Sequence, residues 1–167
     1  MMDEKKPEIR IAFFDVDGVL TDGTKSYYQD GTVSKVFHDQ DSYGLKQLKN
    51  AGVEVYLISE DKRVNQAWAE YQKIPFLLSK DKVVSMSAIL KEKGYSPAEA
   101  AYIGDEIRDL GAMKLVKYSI APKNAVKRVK KVAWKVLQRT GGQGAVREAA
   151  EIIIKINSGE SIEDGNI

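Results

Sequence analysis

Three carboxylates, one hydroxyl and one ammonium stand out for where they fall in the chain. Asp15 and Asp17 follow a short apolar run, Arg10–Phe14, and Ser59 follows a second, Val53–Ile58. Asp105 follows a third, Ala100–Ile103, and Lys82 comes just after Phe76–Leu78. Asp15 and Asp17 are one residue apart, so in extended backbone both side chains point the same way. Carboxylates crowded together repel and call for a counter-ion. The chain has no cysteine and a single histidine, His38, so the fitting ion is hard and oxygen-seeking, Mg²⁺ above all. Such an ion beside a lysine and a hydroxyl suits phosphoryl chemistry, in which charge on the equatorial oxygens has to be neutralised. A carboxylate can itself attack phosphorus and form an aspartyl-phosphate. Gly18 frees the following turn for backbone N–H groups to approach the phosphoryl oxygens. An Asp-x-Asp-Gly string alone also reads as a plain loop or a calcium turn. Its combination with Ser59, Lys82 and Gly104-Asp105 points to phosphate.

Composition narrows the setting. The length of 167 residues corresponds to about one domain, and 43% hydrophobic with 30% charged residues is ordinary for a globular chain. Without cysteine there are no disulfides, no thiol catalysis and no thiolate zinc site. No run of 18 apolar residues exists, so no membrane span is expected. The opening MMDEKKPEIR is charged with no apolar stretch behind it, unlike a signal peptide. A cytoplasmic protein is expected. The 26 basic against 24 acidic residues, net +2, do not make a nucleic-acid footprint. The basic stretch from Lys123 to Lys135 reads as a solvated helix face, with a phosphate or RNA patch as the sharper alternative.

The elements that must position these side chains alternate. Arg10–Phe14, Val53–Ile58, Phe76–Leu78, Ala100–Ile103 and Tyr118–Ala121 read as strands, with Val132–Leu137 as a candidate edge strand. Between them fall helical patterns over Asp41–Asn50, Lys62–Lys73, Asp81–Lys93, Ile107–Lys114 and Ala125–Lys131, and a last helix, Ala145–Ile156, follows Gly141-Gly142-Gln143-Gly144. Lys25–Gln29 and Thr32–Phe37 flank Asp30-Gly31, a hairpin signal. Ser96-Pro97-Ala98-Glu99 has capping-box spacing. The alternation predicts an α/β fold, a Rossmann-like parallel sheet with helices on both faces. In such sheets ligands bind outside the carboxyl ends of the strands, where the reactive residues cluster. The expected layout is a flexible segment 1–8, one domain over 9–157 and a mobile tail over 158–167.

These residues resemble the haloacid dehalogenase superfamily of phosphatases. Asp15-Val16-Asp17-Gly18-Val19-Leu20-Thr21 is similar to its first motif, Lys82 to its third, and Gly104-Asp105-Glu106 with Asp109 to its fourth. The resemblance implies Asp15 as nucleophile and Asp17 as general acid/base. It implies Mg²⁺ held by the Asp15 side chain, the Asp17 carbonyl and Asp105, with Ser59 on a phosphoryl oxygen and Lys82 neutralising charge. A closer likeness is to the 3-deoxy-D-manno-octulosonate 8-phosphate (KDO 8-phosphate) phosphatases. It rests on the first motif extended through Asp22-Gly23, on Phe37-x3-Asp41-x2-Gly44-Leu45-Lys46-x-Leu48, and on Gly141-Gly142-Gln143-Gly144-Ala145-Val146-Arg147-Glu148. It covers about residues 11–154. Relatives of this kind lack a cap domain and form homotetramers, which implies a hairpin at a subunit interface and Arg147 or the tail near a neighbour's substrate. A hairpin simply exposed to solvent is the alternative.

One departure is visible. The phosphatases carry Thr/Ser-Gly-Arg at the second motif, and here the string is Ile58-Ser59-Glu60-Asp61-Lys62-Arg63. Ser59 is the expected phosphoryl hydroxyl, with a register placing Ile58 there as the alternative. A glutamate after this motif resembles the nonulosonate 9-phosphate phosphatases, which implies Glu60 as an acceptor for sugar hydroxyls, with Arg63 or Lys62 meeting a sugar carboxylate. Gly18 and Asp109 complete the expected substrate contacts. The expected activity is hydrolysis of a sugar-acid phosphate, with a small-molecule substrate, no nucleic acid and no membrane. Another small sugar phosphate is the alternative substrate, and two other classes are open: a catalytically weak oligomerising domain like the tail of animal CMP-sialic acid synthetases, and a phosphorelay receiver. An intact Asp15, Asp17, Lys82 and Asp105 argues against the first. The second places its acceptor on a later strand.

Overall fold

Ile11–Phe14 form β1, and all four residues are buried, as a central strand covered on both faces requires. A computed structural model describes residues 8–162 of the chain, and in it β1 pairs in parallel with β4 (Glu54–Ser59) on one side and β6 (Ala100–Ile103) on the other. The strands β5 (Phe76–Leu78), β7 (Tyr118–Ala121) and β8 (Lys135–Val136) extend the sheet to six strands in the order β5-β4-β1-β6-β7-β8, all parallel. The chain winds outward from β1 through β4 to β5, then returns to place β6 on the other side. The direction of winding therefore reverses at β1 and β6, and the crevice outside that reversal is where an open sheet accepts ligands.

Side chains alternate across the sheet. Ala12 and Phe14 join Val55, Leu57, Ala101 and Ile103 on one face, under the helices α1 (Asp39–Asn50), α2 (Arg63–Tyr71) and α6 (Ala145–Ser158). Ile11 and Phe13 join Tyr56, Ile58, Ala100 and Tyr102 on the other, under α3 (Lys82–Lys93), α4 (Leu110–Leu115) and α5 (Lys127–Val132). The expected alternation and its parallel sheet are both present. Among the described residues the one excursion from it is a hairpin, β2 (Ser26–Tyr27) with β3 (Val33–Ser34), and no cap domain is seen.

Boundaries differ where local capping decides them. His38 accepts the Gln40 N–H and starts α1 two residues before the expected Asp41. Asp81 accepts the Val84 N–H as the N-cap of α3, and Ser96–Glu99 closes its capping box around a single 3₁₀ turn. The expected hairpin strands shrink to two residues each, and Val132–Leu137 to the two residues of β8. Ile107–Lys114 divides into a 3₁₀ turn, Ile107–Asp109, and α4. Helix α6 runs to Ser158, where Asn157 holds both the N–H and the carbonyl of Ile9. Ile162 packs against the core, while residues 158–161 are exposed. Residues 1–7 and 163–167 lie outside the described residues.

Candidate active site

The strand ends bring Asp15 and Lys82 together. The Lys82 ammonium is 3.0 Å from Asp15 Oδ1, and both side chains are almost fully buried. Lys82 also pairs with Asp109 Oδ1 at 2.6 Å. Asp109 was expected to face substrate; instead it is wholly buried beneath the site. Its Oδ1 accepts from Lys82 and from the Tyr102 hydroxyl, each at 2.6 Å, and its Oδ2 accepts from the N–H groups of Asp105 and Glu106, each at 3.0 Å. With four donors on two oxygens, Asp109 is the anchor that aims Lys82 and shapes the Gly104-Asp105-Glu106 turn. The physical reason is position: Asp109 ends the 3₁₀ turn that folds back under β6.

Carboxylate oxygens of Asp15, Asp105 and Asp109 lie within 4.8 Å of one another. Burial pushes the Asp15 carboxyl up to about 8, with Asp109 adding to the shift and Lys82 opposing it. Burial likewise pushes Asp105 up to about 7, helped by Asp109 and Glu106. Burial would lower the Lys82 ammonium, but Asp15 and Asp109 more than offset it and leave it above its usual value. Fully ionised, the cluster would carry more buried negative charge than its one lysine balances, which is why Asp15 and Asp105 hold their protons more tightly. Oδ1 of Asp105 is buried with no hydrogen-bond partner, the kind of oxygen that a cation satisfies. Asp15 Oδ1 takes the Val16 N–H at 2.9 Å as well as Lys82, so its second oxygen is the one left for chemistry.

The turn after Asp17 is held from both sides. Gly18 has φ +86°, and a Cβ there would lie 2.0 Å from Asp105 Oδ2. Thr21 Oγ1 accepts the N–H groups of Gly18 and Gly23. Asn124 donates to the Gly18 carbonyl at 2.9 Å and accepts the Gly141 N–H at 2.6 Å. Gly141 packs so closely that a Cβ on it would meet the Gly18 carbonyl oxygen at 2.0 Å. The glycine-rich segment 141–144 is therefore a buttress for the first-motif loop. Asp41 accepts the Gly144 and Arg147 N–H groups, and Glu148 accepts those of Gln138 and Arg139. The late motif and the Asp41 motif, far apart in sequence, meet at the start of α6.

At the second motif β4 extends through Ser59, whose side chain reaches the cleft, while Ile58 lies in the core. Of the two expected candidates for the phosphoryl hydroxyl position, Ser59 is the one that faces the cleft. Its Oγ accepts from Asp61 N and Asn65 Nδ2, each at 3.1 Å, which leaves its own hydrogen to donate into the cleft. Asp17 turns toward the hairpin: Lys35 Nζ stands 2.7 Å from Oδ1, and Asn65 donates to Oδ2 at 3.0 Å. Asp61 gathers Lys25 at 3.0 Å, Lys35 at 3.2 Å and Arg63 at 2.9 Å, and these cations, Arg63 first by hydrogen bonding, hold its carboxyl well below the usual range.

These groups open on a cleft of about 530 Å³ that Asp15, Asp17, Ser59, Lys82 and Asp105 line at the base. Glu60 and Arg63 stand on its wall, and Arg108 faces Glu60 at 3.5 Å. Lys62 is not among the lining residues. Arg147 is elsewhere: its guanidinium stands over Tyr43 and pairs with Glu151 at 2.6 Å, in a smaller cleft with Gln40 and Arg139. Within its own chain it does not reach the site, because α6 ends its first turn behind the first-motif loop. Lys35, Asn65, Asp61 and Asn124 escaped the sequence reading. Only Asp61 carried a signal, as part of the departure at the second motif.

The fold and the carboxylate–lysine cluster at its winding reversal define a class. Residues 64–149 match the model of the haloacid dehalogenase-like hydrolases, and the chain belongs to that family. Within it, the chain is similar to 3-deoxy-D-manno-octulosonate 8-phosphate phosphatases. It is 33% identical over 166 residues to that of Haemophilus influenzae, covering 98% of this chain and 92% of that protein. The crystal structure of the Moraxella catarrhalis phosphatase, in complex with magnesium ion, phosphate ion and KDO, superposes with TM-score 0.87 at 32% identity, over 91% of this chain and 89% of that one. The cobalt-bound Haemophilus influenzae phosphatase superposes with TM-score 0.85 at 33% identity, over 90% of each chain.

Proposed function

We propose that this chain is a Mg²⁺-dependent phosphatase of a 2-keto-3-deoxy sugar-acid phosphate, KDO 8-phosphate or a nonulosonate 9-phosphate, acting through an aspartyl-phosphate. The observation that carries the reading is Asp15, nearly buried and 3.0 Å from the Lys82 ammonium, at the base of a cleft beside the partnerless Asp105 oxygen. Relatives that act on KDO 8-phosphate, one of them bound to magnesium, phosphate and KDO, support the substrate class.

Asp15, Asp105 and the Asp17 carbonyl would hold Mg²⁺; Asp109, with four donors already on it, would not. Bound there, the ion supplies positive charge against the negative charge that gathers on the transferring phosphoryl group. Asp15 attacks phosphorus while the bond to the sugar oxygen breaks, and that oxygen takes the proton from the Asp17 carboxyl. A water then gives a proton to the Asp17 carboxylate as it attacks phosphorus, which frees inorganic phosphate and restores Asp15. Ser59 donates its hydrogen to a phosphoryl oxygen, Lys82 neutralises charge on Asp15 and the phosphate, and Gly18 lets the loop come close. Glu60 accepts sugar hydroxyls, and Arg63 meets the sugar carboxylate.

The reading includes one domain over 9–157, a cytoplasmic location and a homotetramer. Among the described residues no helix is long and apolar enough to cross a membrane. For assembly the support is the hairpin, on which Tyr27, Tyr28 and Val36 are 69%, 55% and 82% exposed. The test is turnover of KDO 8-phosphate, a nonulosonate 9-phosphate and hexose phosphates by the purified protein with Mg²⁺. A strong preference for one sugar acid, lost in Asp15→Asn and on chelation, is expected. Equal rates on all substrates would overturn the sugar-acid specificity, and full activity in Asp15→Asn would overturn the mechanism.

A further inference from the structure

We infer that Lys35 is a positioning residue for Asp17, so that docking of the hairpin and alignment of the acid/base are one event. The inference rests on the reading of Asp17 as the group that protonates the departing sugar oxygen. Lys35 follows β3 in an otherwise exposed hairpin, yet its side chain is 0% exposed. Taking an ammonium out of water is costly unless partners surround it, and three do. It forms an ion pair with Asp17 Oδ1 at 2.7 Å, out of hydrogen-bond alignment, and donates to Asn65 Oδ1 at 2.8 Å and Asp61 Oδ2 at 3.2 Å.

Asn65, itself fully buried, completes the grip. Its Nδ2 donates to Asp17 Oδ2 at 3.0 Å and to Ser59 Oγ at 3.1 Å, while its oxygen accepts from Lys35. One oxygen of Asp17 is thus hydrogen-bonded by Asn65 and the other paired by charge with Lys35 from the same side, which restricts the rotation of the carboxyl group. A carboxylate offers about four lone-pair sites, and the Asp17 side chain is still 25% exposed, so a face of it stays open to the cleft. Proton transfer needs heavy atoms within about 2.6–3.2 Å, and a carboxyl free to rotate meets that condition only part of the time.

Asp61 makes the arrangement particular to this chain. It occupies the segment where the phosphatases it resembles carry a Gly-Arg pair, and it binds Lys35 and Lys25 from the two legs of the hairpin at once. The hairpin is therefore fastened to the end of β4 within one protomer, through the same lysine that aligns Asp17.

The experiment compares Lys35→Met with wild type and Asp17→Asn on two substrates, KDO 8-phosphate and p-nitrophenyl phosphate. The sugar oxygen needs a proton to leave, whereas p-nitrophenolate leaves without one at neutral pH. Both substrates share the hydrolysis of the aspartyl-phosphate, so the readout is release of the leaving group in the first turnover. Positioned general acids contribute about 10²–10⁴-fold, and Lys35→Met should slow that release roughly 100-fold for the sugar and no more than about threefold for p-nitrophenolate. Asp17→Asn should show the same first-turnover selectivity in stronger form, together with slow hydrolysis of the aspartyl-phosphate from either substrate. Should Lys35→Met fail to fold by circular dichroism, Lys35→Arg, which keeps a cation in the buried site, takes its place and must show the same selectivity. Equal first-turnover losses on both substrates, or none on either, overturn the positioning role while leaving the phosphatase reading intact. No turnover of either substrate by wild type overturns that reading and the inference together.

Discussion

Asp109 separates a substrate contact from a buried anchor, and Asp109→Asn tests the difference with almost no change of shape. In the protein Oδ1 receives Lys82 and the Tyr102 hydroxyl, and Oδ2 receives two backbone N–H groups. Burial and the neighbouring Asp109 push the Tyr102 hydroxyl well above its usual range, so it stays protonated and needs its acceptor. An asparagine offers one oxygen, and whichever way it turns, two donors face an amide NH₂. Hydrogen bonds to a charged group are worth about 1.5–3 kcal/mol each, so two lost bonds cost roughly 3–6 kcal/mol. Part is offset, because Asp109 also repels Asp15 and Asp105. A net loss near 3–4 kcal/mol is expected, a large share of the about 5–15 kcal/mol that holds a domain together. With an m-value of about 2 kcal/mol/M, the urea midpoint should fall by about 1.5–2 M, read by the fluorescence of Trp68 and Trp134. In the folded fraction kcat should drop, since either Lys82 loses one of its two anchors or the Asp105 turn loses its acceptor, with KM little altered. A midpoint within about 0.5 M of wild type, together with a raised KM, would refute the anchor and restore Asp109 to the substrate.

Three further outcomes follow from the same contacts. Gly141→Ala places a methyl 2.0 Å from the Gly18 carbonyl oxygen, backbone against backbone; overpacking of this kind costs about 1–3 kcal/mol, and kcat should fall well below wild type because the first-motif loop is displaced. Unchanged thermal unfolding and kinetics would show that segment 141–144 does not buttress the loop. Asp61 is held below its usual range by its cations, so its pairing contributes stability above the unfolded value near 3.9 and loses it as pH falls below that value. Asp61→Asn should therefore be less stable at pH 7 by roughly 1 kcal/mol, since such pairs near the surface are modest, with the gap closing toward pH 3; a pH-independent gap would contradict this. Mg²⁺ added to chelated protein should raise the melting temperature, by an amount corresponding to about 2.7 kcal/mol at a hundred times Kd, and Asp105→Asn should abolish that rise, whereas an equal rise in the variant would place the ion elsewhere.

Much of the fold was legible because apolar runs and breakers are local. The strand Ile11–Phe14, buried throughout, and the helix closed by Gly94 are written in consecutive residues, and the parallel order follows from their alternation. Asp15, Asp17, Ser59, Lys82 and Asp105 were legible for the same reason: each sits next to a strand end, and strand ends in such a sheet share one edge. Asp109 was misread because its spacing from Asp105 says nothing about whether a turn carries it outward or underneath. The hairpin was found, but Lys35 gave no sign, since an isolated lysine in a polar stretch looks the same whether solvated or buried.

The sequence by itself determined the alternation, the reactive residue types, their place at strand ends and the departure at Ile58–Arg63, because each depends on neighbours along the chain. Only the tertiary structure decided that Lys35 and Asn65 grip Asp17, that Asp41 and Glu148 cap and brace the start of α6, that Asn124 and Gly141 hold the Gly18 turn, and that Arg147 faces away from its own cleft. Those contacts join residues up to 123 positions apart, between Gly18 and Gly141. Burial, which sets the charge balance of the Asp15–Asp105 cluster, depends on how the packed layers close over each side chain.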